Sequence, residues 1–265
     1  MVTPTHALKQ HPEARCAMAG RFGKYLPEAD SGVREAKPVS KPGLLELLDL
    51  FNNLPHDFDT ISCAGPISTM MHRNYVRLLE ILSQRRFDPS SVTEFSIALS
   101  RFQHVESFAS KAGIFLSAMT ALCDGGPVEI MTRHLDYPPE FLGFRNSHPC
   151  VIVHGDAGAY LGTEISQGSV IVEGDAIYMV GDFMSGGTIK AENVTSYKVP
   201  TFPDGYTFEL ILGRHMKGGE MHFTSVFPDL ERGIRHVDFE KDRFVIRNTI
   251  EHGKIFIDGI LIIDR

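Results

Sequence analysis

The 265-residue chain has no tryptophan and only four cysteines, Cys16, Cys63, Cys123 and Cys150. Four scattered thiols without a CxxC pair are too few for a disulfide framework, so a reducing, cytoplasmic setting is expected. No long hydrophobic run occurs. The longest nearly uncharged apolar stretch, Ala112 to Cys123, falls well short of the ~20 residues of a membrane helix. The first thirty residues lack the apolar centre of a signal peptide. No P-loop, GxSxG or HExxH string is present. Basic charge is also scarce where it would matter for nucleic acid. The whole net charge of −7 falls in residues 127–265, and an acidic half-chain repels phosphate. Neither a nucleic-acid nor a membrane partner is expected.

What is present divides the chain into three. Residues 1–42 are rich in proline and mixed charge without apolar periodicity and read as a flexible leader. Residues 43–125 read as a helical domain. Leu44, Leu45, Leu47, Leu48 and Phe51 form one amphipathic stripe, and Met70, Met71, Asn74 or Tyr75, Leu78 and Leu82 form a second. A third helix is expected from Ser91, as N-cap with Glu94 completing a capping box, through Phe95, Phe102, Ala109 and Met119 to Cys123. So long a stripe packs either on the second helix or in a coiled-coil-like seam between chains.

From residue 126 to 265 the pattern is different. Three glycines recur at an offset of 19, Gly155 with Gly174, Gly162 with Gly181 and Gly168 with Gly187. Apolar positions recur with them: Val151, Val170 and Ile189; Val153 and Val172; Leu161 and Val180; Ile165 and Met184. The box Val180–Gly187 returns 32 residues later as Leu212–Gly219, which implies an excursion over about 191–208, and Ile250–Gly259 resembles a closing half-turn. Short strands stacked in parallel register, with glycine at the corners, fit this period. The expected fold is therefore α+β: an N-terminal helical region followed by a short right-handed parallel β-helix, or β-solenoid.

The boxes Gly155–Gly162 and Ser169–Gly174 resemble the GXGXG repeat. That repeat occurs in the last domain of the glutamate synthase large chain and in one component of formylmethanofuran dehydrogenase. The resemblance is strongest over Phe141–Lys190 and does not cover the first 125 residues. It implies a structural role, bracing neighbouring domains or protomers, and brings no catalytic residue with it. The chain has no amidotransferase, flavin-binding or iron–sulfur segment beside the repeat, so glutamate synthase activity is not implied.

Several residues bear on possible chemistry. Asp156 and Asp175 fall at equivalent repeat positions, where a shared cation competes with the simpler use of aspartate to cap its own turn. His148, Cys150 and His154 lie within seven residues, and His215, His222, His236 and His252 sit in the later, irregular repeats. A zinc site at the first group would need a fourth ligand, and for the second a metal-binding cluster competes with the commoner case of dispersed surface histidines. Gly155–Gly158 leads into another strand and not a helix, against a dinucleotide site. Asn193–Thr195 fits a glycosylation acceptor and Cys63 lacks a nucleophile's partners. No catalytic, cofactor-binding or metal-binding residue is assigned and no cofactor is expected. The sequence favours a non-catalytic scaffold that assembles with a protein partner or with itself. The alternative is an enzyme, or part of one, related to glutamate synthase or formylmethanofuran dehydrogenase assemblies. Its site would lie where helices meet repeats, drawing on the 191–208 excursion, Tyr137–Pro139 or the later histidines.

Overall fold

The computed structural model describes residues 42–54, 67–177, 179–201, 205–228, 243–247 and 249–265. The expected leader, except Pro42, lies outside these residues, as do Cys16, Cys63 and His236.

Helix α1 spans Pro42–Asn52 and α2 spans Ile67–Leu82. Both bury most of the stripe their spacing announces, Leu47, Leu48 and Phe51 in α1 and Met71, Asn74, Tyr75, Leu78 and Leu82 in α2, while Leu44 and Met70 are half-buried and Leu45 is exposed. Asn53 stops α1 by turning its side-chain amide onto the Asp49 carbonyl, 2.7 Å away.

The expected third helix is two. Helix α3 covers Pro89–Ala98 and continues as a 3-10 turn, Leu99–Phe102, and α4 covers Phe108–Ala121. Its cap is Asp88 and not Ser91. The Asp88 carboxylate accepts from Ser91 N at 2.8 Å, and Pro89, which has no N–H to satisfy, takes the first helical position. The break before α4 passes through Ser107 in left-handed backbone, φ 58°. Its cause is the core. Phe95, Phe102, Phe108 and Phe115 all meet the Phe51 ring, with centroids at 5.9, 5.7, 6.3 and 5.7 Å. A straight helix would spread these four rings over ~30 Å. Bending it gathers them on one aromatic side chain. The stripe is thus spent within the chain, not on a seam between chains.

The strands are β1 Val128–Met131, β2 Cys150–His154, β3 Ser169–Ala176, β4 Thr188–Thr201, β5 Gly205–Ile211, β6 Glu220–Pro228, β7 Arg243–Arg247, β8 Lys254–Ile257 and β9 Ile260–Asp264. They form one sheet in the order β1-β2-β3-β4-β6-β8-β9, with β5 paired to β4 and β7 to β5 off this path. Pairing along the main path is parallel except for the antiparallel hairpin β8–β9; β4–β5 is also antiparallel. Val151 pairs with Val170 and Val170 with Ile189, as the 19-residue offset requires. The column runs from Val128 through these to Met221 and Ile255, all of it buried.

The expected class is corrected by this topology. Among the described residues the strands make a single, mostly parallel sheet accompanied by four α-helices, an α/β-type arrangement, and the β-helix expected over 126–265 is not what is found. A coil needs further strand ladders on the returning path of every turn. The described connections carry turns and single bridges, Ala157 with Ala176 and Val180 with Leu212. The period specified which residues pair across adjacent strands; it could not specify how the chain travels between them.

Those connections are themselves regular. Gly162 (φ 64°) and Gly181 (φ 72°) need left-handed backbone, and a Cβ on Gly181 would lie 2.7 Å from Met221 Sδ. Two residues after each of Gly143, Gly162, Gly181 and Gly213, a non-glycine takes the same conformation: Arg145, Glu164, Phe183 and His215, φ 53–58°. Arg145 N donates to Thr163 O, Glu164 N to Asp182 O and Phe183 N to Arg214 O, so the turns stack as the strands do.

Candidate functional site

The stacked turns bring together the densest unusual chemistry among the described residues. The repeat lays the box Val180–Gly187 against Leu212–Gly219, so Asp182 meets Arg214. The Arg214 guanidinium donates through Nη2 to Asp182 Oδ2 at 2.6 Å. The Asp182 side chain is 1% exposed and that of Arg214 39%. Asp182 Oδ1 and Arg214 Nε are buried with no hydrogen-bond partner among the described residues. Burial pushes the Asp182 carboxyl up to about 6, against the opposing pull of Arg214 and, more weakly, His215.

Around this pair, Phe183 stacks on the His215 ring at 4.9 Å. His215 N donates to Thr249 Oγ1 at 2.9 Å. One turn further back, Arg145 Nε lies 3.5 Å from Glu164 Oε2, and Arg145 Nη1 lies 2.6 Å from His72 Nδ1 on α2. These groups face one another along the stack. They do not converge on a space that would hold a substrate.

Most of the other candidates are committed to neighbouring strands. Asp156 does not cap its own turn: its Oδ1 accepts from Asp175 N at 2.9 Å, one strand on. Asp175 Oδ1 accepts from Asn193 Nδ2 at 2.6 Å, and Asn193 Oδ1 from Ser225 Oγ at 2.5 Å. The result is a polar ladder from the turn after β2 across β3, β4 and β6. His154 Nδ1 lies 2.8 Å from Glu173 Oε2, the pairing that the 19-residue offset suggests. His148 Nδ1 lies 3.0 Å from the Cys150 carbonyl oxygen, inside its own turn. His222 stacks on Phe256 at 4.5 Å, and His252 is exposed. Among the described residues, no group of three or more His, Cys, Asp or Glu could hold a metal ion. Burial, with Asp88 and Asp124 adding, pushes the Cys123 thiol up to about 11, which leaves it protonated and unreactive.

The junction of helices and sheet is dry. Ile114, Phe115, Ala118 and Met119 of α4 and Phe141, Leu142 and Phe144 are all buried. Its polar groups are paired across it: Ser117 Oγ donates to Phe141 O at 2.9 Å, Ser110 Oγ to Glu140 Oε2 at 2.5 Å, and Arg145 meets His72, while the ammonium of the buried Lys111 lies 3.5 Å from Leu54 O. The 191–208 excursion is the second half of β4 with β5. Tyr137 is exposed, and its backbone N–H donates to Gln103 Oε1 at 3.2 Å. A cleft of about 130 Å³ lies between α1 and the α2–α3 connection, lined by Leu44, Leu47, Arg85, Arg86, Phe87 and Glu94. It is smaller than the ~300 Å³ at which small-molecule sites begin.

Sequence reasoning missed Asp182 and Arg214, although opposite charges at matched positions of the repeated box announced them. The chain matches no protein-family model, no curated protein and no solved structure. Among the described residues, no helix is long and apolar enough to cross a membrane.

Proposed function

We propose that this protein is a non-catalytic scaffold, whose sheet and stacked turns hold a rigid surface for association with itself or with a protein partner. The observation that carries this reading is where the repeated polar residues go. Asp156, Asp175, Asn193 and Ser225 bind one another, as do Asp182 and Arg214, and His154 and Glu173. A catalytic site needs such groups to converge on an open space. Here they are consumed by register, and at the junction of helices and sheet the core is apolar and polar groups such as Ser110 with Glu140 and Arg145 with His72 are paired with one another. The resemblance of the Gly155–Gly187 boxes to the GXGXG repeat, structural in its families, supports the same role. So does an apolar strand, β9, left exposed at the sheet edge.

Sedimentation of the purified chain, with recovery of bound proteins from native extract, tests the proposal. Self-association at micromolar concentration, or a partner in stoichiometric amount, is the expected result. A clean monomer that recovers no partner refutes it.

A further inference from the structure

Asp182 is the only buried carboxylate among the described residues, and the turn does not require an acid at its position. The same place in the two preceding turns, at successive offsets of 19, holds Thr163 and Phe144, both buried. Thr163 is satisfied within its own turn, where its Oγ1 donates to Tyr160 O at 2.9 Å. Asp182 instead depends on Arg214, its counterpart in the following turn. The contact is incomplete for these two groups. A guanidinium and a carboxylate fit through two parallel bonds, and such pairing is what offsets the cost of burying them. A single bond joins them here, Arg214 Nη2 to Asp182 Oδ2 at 2.6 Å, while Asp182 Oδ1 and Arg214 Nε are buried without a partner among the described residues. The two ends are also unequally held. Asp182 is 1% exposed, and backbone bonds fix its turn on both sides, Glu164 N to Asp182 O and Phe183 N to Arg214 O, each 2.7 Å. The Arg214 side chain is 39% exposed and reaches solvent by rotation about its own bonds, with the backbone in place.

We propose that Asp182 and Arg214 form a proton-operated latch: when Asp182 takes up a proton, Arg214 loses its charge partner and swings out of the turn stack into solvent. The latch is independent of the scaffold reading. In the closed state one charge-assisted bond holds the guanidinium in. A neutral carboxyl no longer offsets the burial of Arg214 Nε, which is satisfied by water once the side chain turns outward. The open state sets an unpaired cation on the turn whose His215 ring stacks on Phe183, itself 38% exposed. Charged groups stand on each adjoining element. His215 and Lys217 share the turn of Arg214, Glu164 and its partner Arg145 lie on the two turns before Asp182, and Glu251 and His252 belong to the segment bonded to Met216 O. Of these, a protonated His215 ring attracts the Asp182 carboxylate and so opposes opening.

The test is a pH titration of the isotope-labelled full chain by NMR. The Asp182 carboxyl should titrate with a midpoint of about 6, and the Arg214 Nε–Hε resonance should move with the same midpoint. Asp182→Asn removes the proton site. Its Arg214 resonance at neutral pH should already lie where the wild type reaches it in acid, and should stay there across the titration. His215→Gln keeps the latch and should leave the linked transition in place. Arg214→Gln removes the moving part, and Asp182 should then take up its proton at a pH higher by about one unit or more, as loss of an opposite charge at this distance requires. This variant decides the matter if Asp182→Asn does not fold. An Arg214 resonance that stays fixed while Asp182 titrates overturns the proposal, because the proton then enters without moving the side chain. So does an Arg214 transition that persists in Asp182→Asn or vanishes in His215→Gln, since its trigger would lie elsewhere. An Asp182 midpoint unchanged by Arg214→Gln overturns it as well.

Discussion

Asp182 should cost the protein stability at neutral pH, and replacing it with asparagine should restore some. Its carboxyl is pushed from 3.8 to about 6, burial outweighing the attraction of Arg214. A folded-state pKa above the unfolded value means that folding takes up a proton. The stabilisation this brings is complete below about pH 4 and is lost as pH rises through about 6. Two pH units at ~1.36 kcal/mol each set the full effect near 3 kcal/mol, an upper figure for a pair that relaxes. Arg214 is 39% exposed and can turn its charge to water when the carboxylate is gone. Asp182→Asn keeps the shape and removes the titration. Urea unfolding of both proteins between pH 4 and pH 7.5 reads the difference directly, because other titrating groups cancel in the comparison. The variant should be close to wild type at the acid end and gain on it by up to about 3 kcal/mol at the neutral end, most of it between pH 4 and 6. A difference that does not change with pH refutes the reasoning. A variant that loses ground as pH rises refutes it more sharply, since the ion pair would then outweigh burial.

Other substitutions probe the core, the turns and the capped edge. Phe51→Ala removes the ring that four other phenylalanines share, and should cost about 3–5 kcal/mol by denaturant midpoint. Gly181→Val puts a branched side chain into left-handed backbone against Met221, and should lower stability by about 3 kcal/mol or abolish soluble expression. Thr93→Val with Ser96→Ala strips from the β1 edge the hydroxyls that bond Glu129 O and Met131 N. It should cost about 1–3 kcal/mol and speed amide exchange at Met131, with the helices retained by circular dichroism.

How much of this was legible depended on distance along the chain. The pairings Val151 with Val170 and His154 with Glu173 follow from an offset of 19, because parallel strands in register copy a sequence period into space. The helices of Leu47–Phe51 and Met71–Leu82 follow from spacing alone. The break before Phe108 did not show, because its cause is the position of Phe51, more than forty residues earlier. The Asp88 cap was hidden by Ser91 and Glu94, a plausible motif three residues too late. The β-helix expectation failed because glycine corners and matched columns mark stacked strands whatever path joins them. In the candidate site, His215 and Asp156 stood out as residue types. Asp182 and Arg214 did not, although the repeat had already placed them together.

Strand β4 belongs to two neighbourhoods at once. From Thr188 to Ser196 it lies beside β6, and from Tyr197 to Thr201 it lies against β5, which in turn carries β7. Ser196 is therefore a mechanical seam. Beyond it the only strand neighbour of β4 among the described residues is β5, joined by antiparallel pairs from Tyr197 to Thr201. Tension applied before it loads the bonds to β3 and β6 side by side. The β5–β7 annex is held to the rest of the fold at two places, by the far half of β4 and by Ile211 O accepting from Val180 N at the end of β5, so a replacement annex would have to keep both anchors while its length between them is set only by its own pairing.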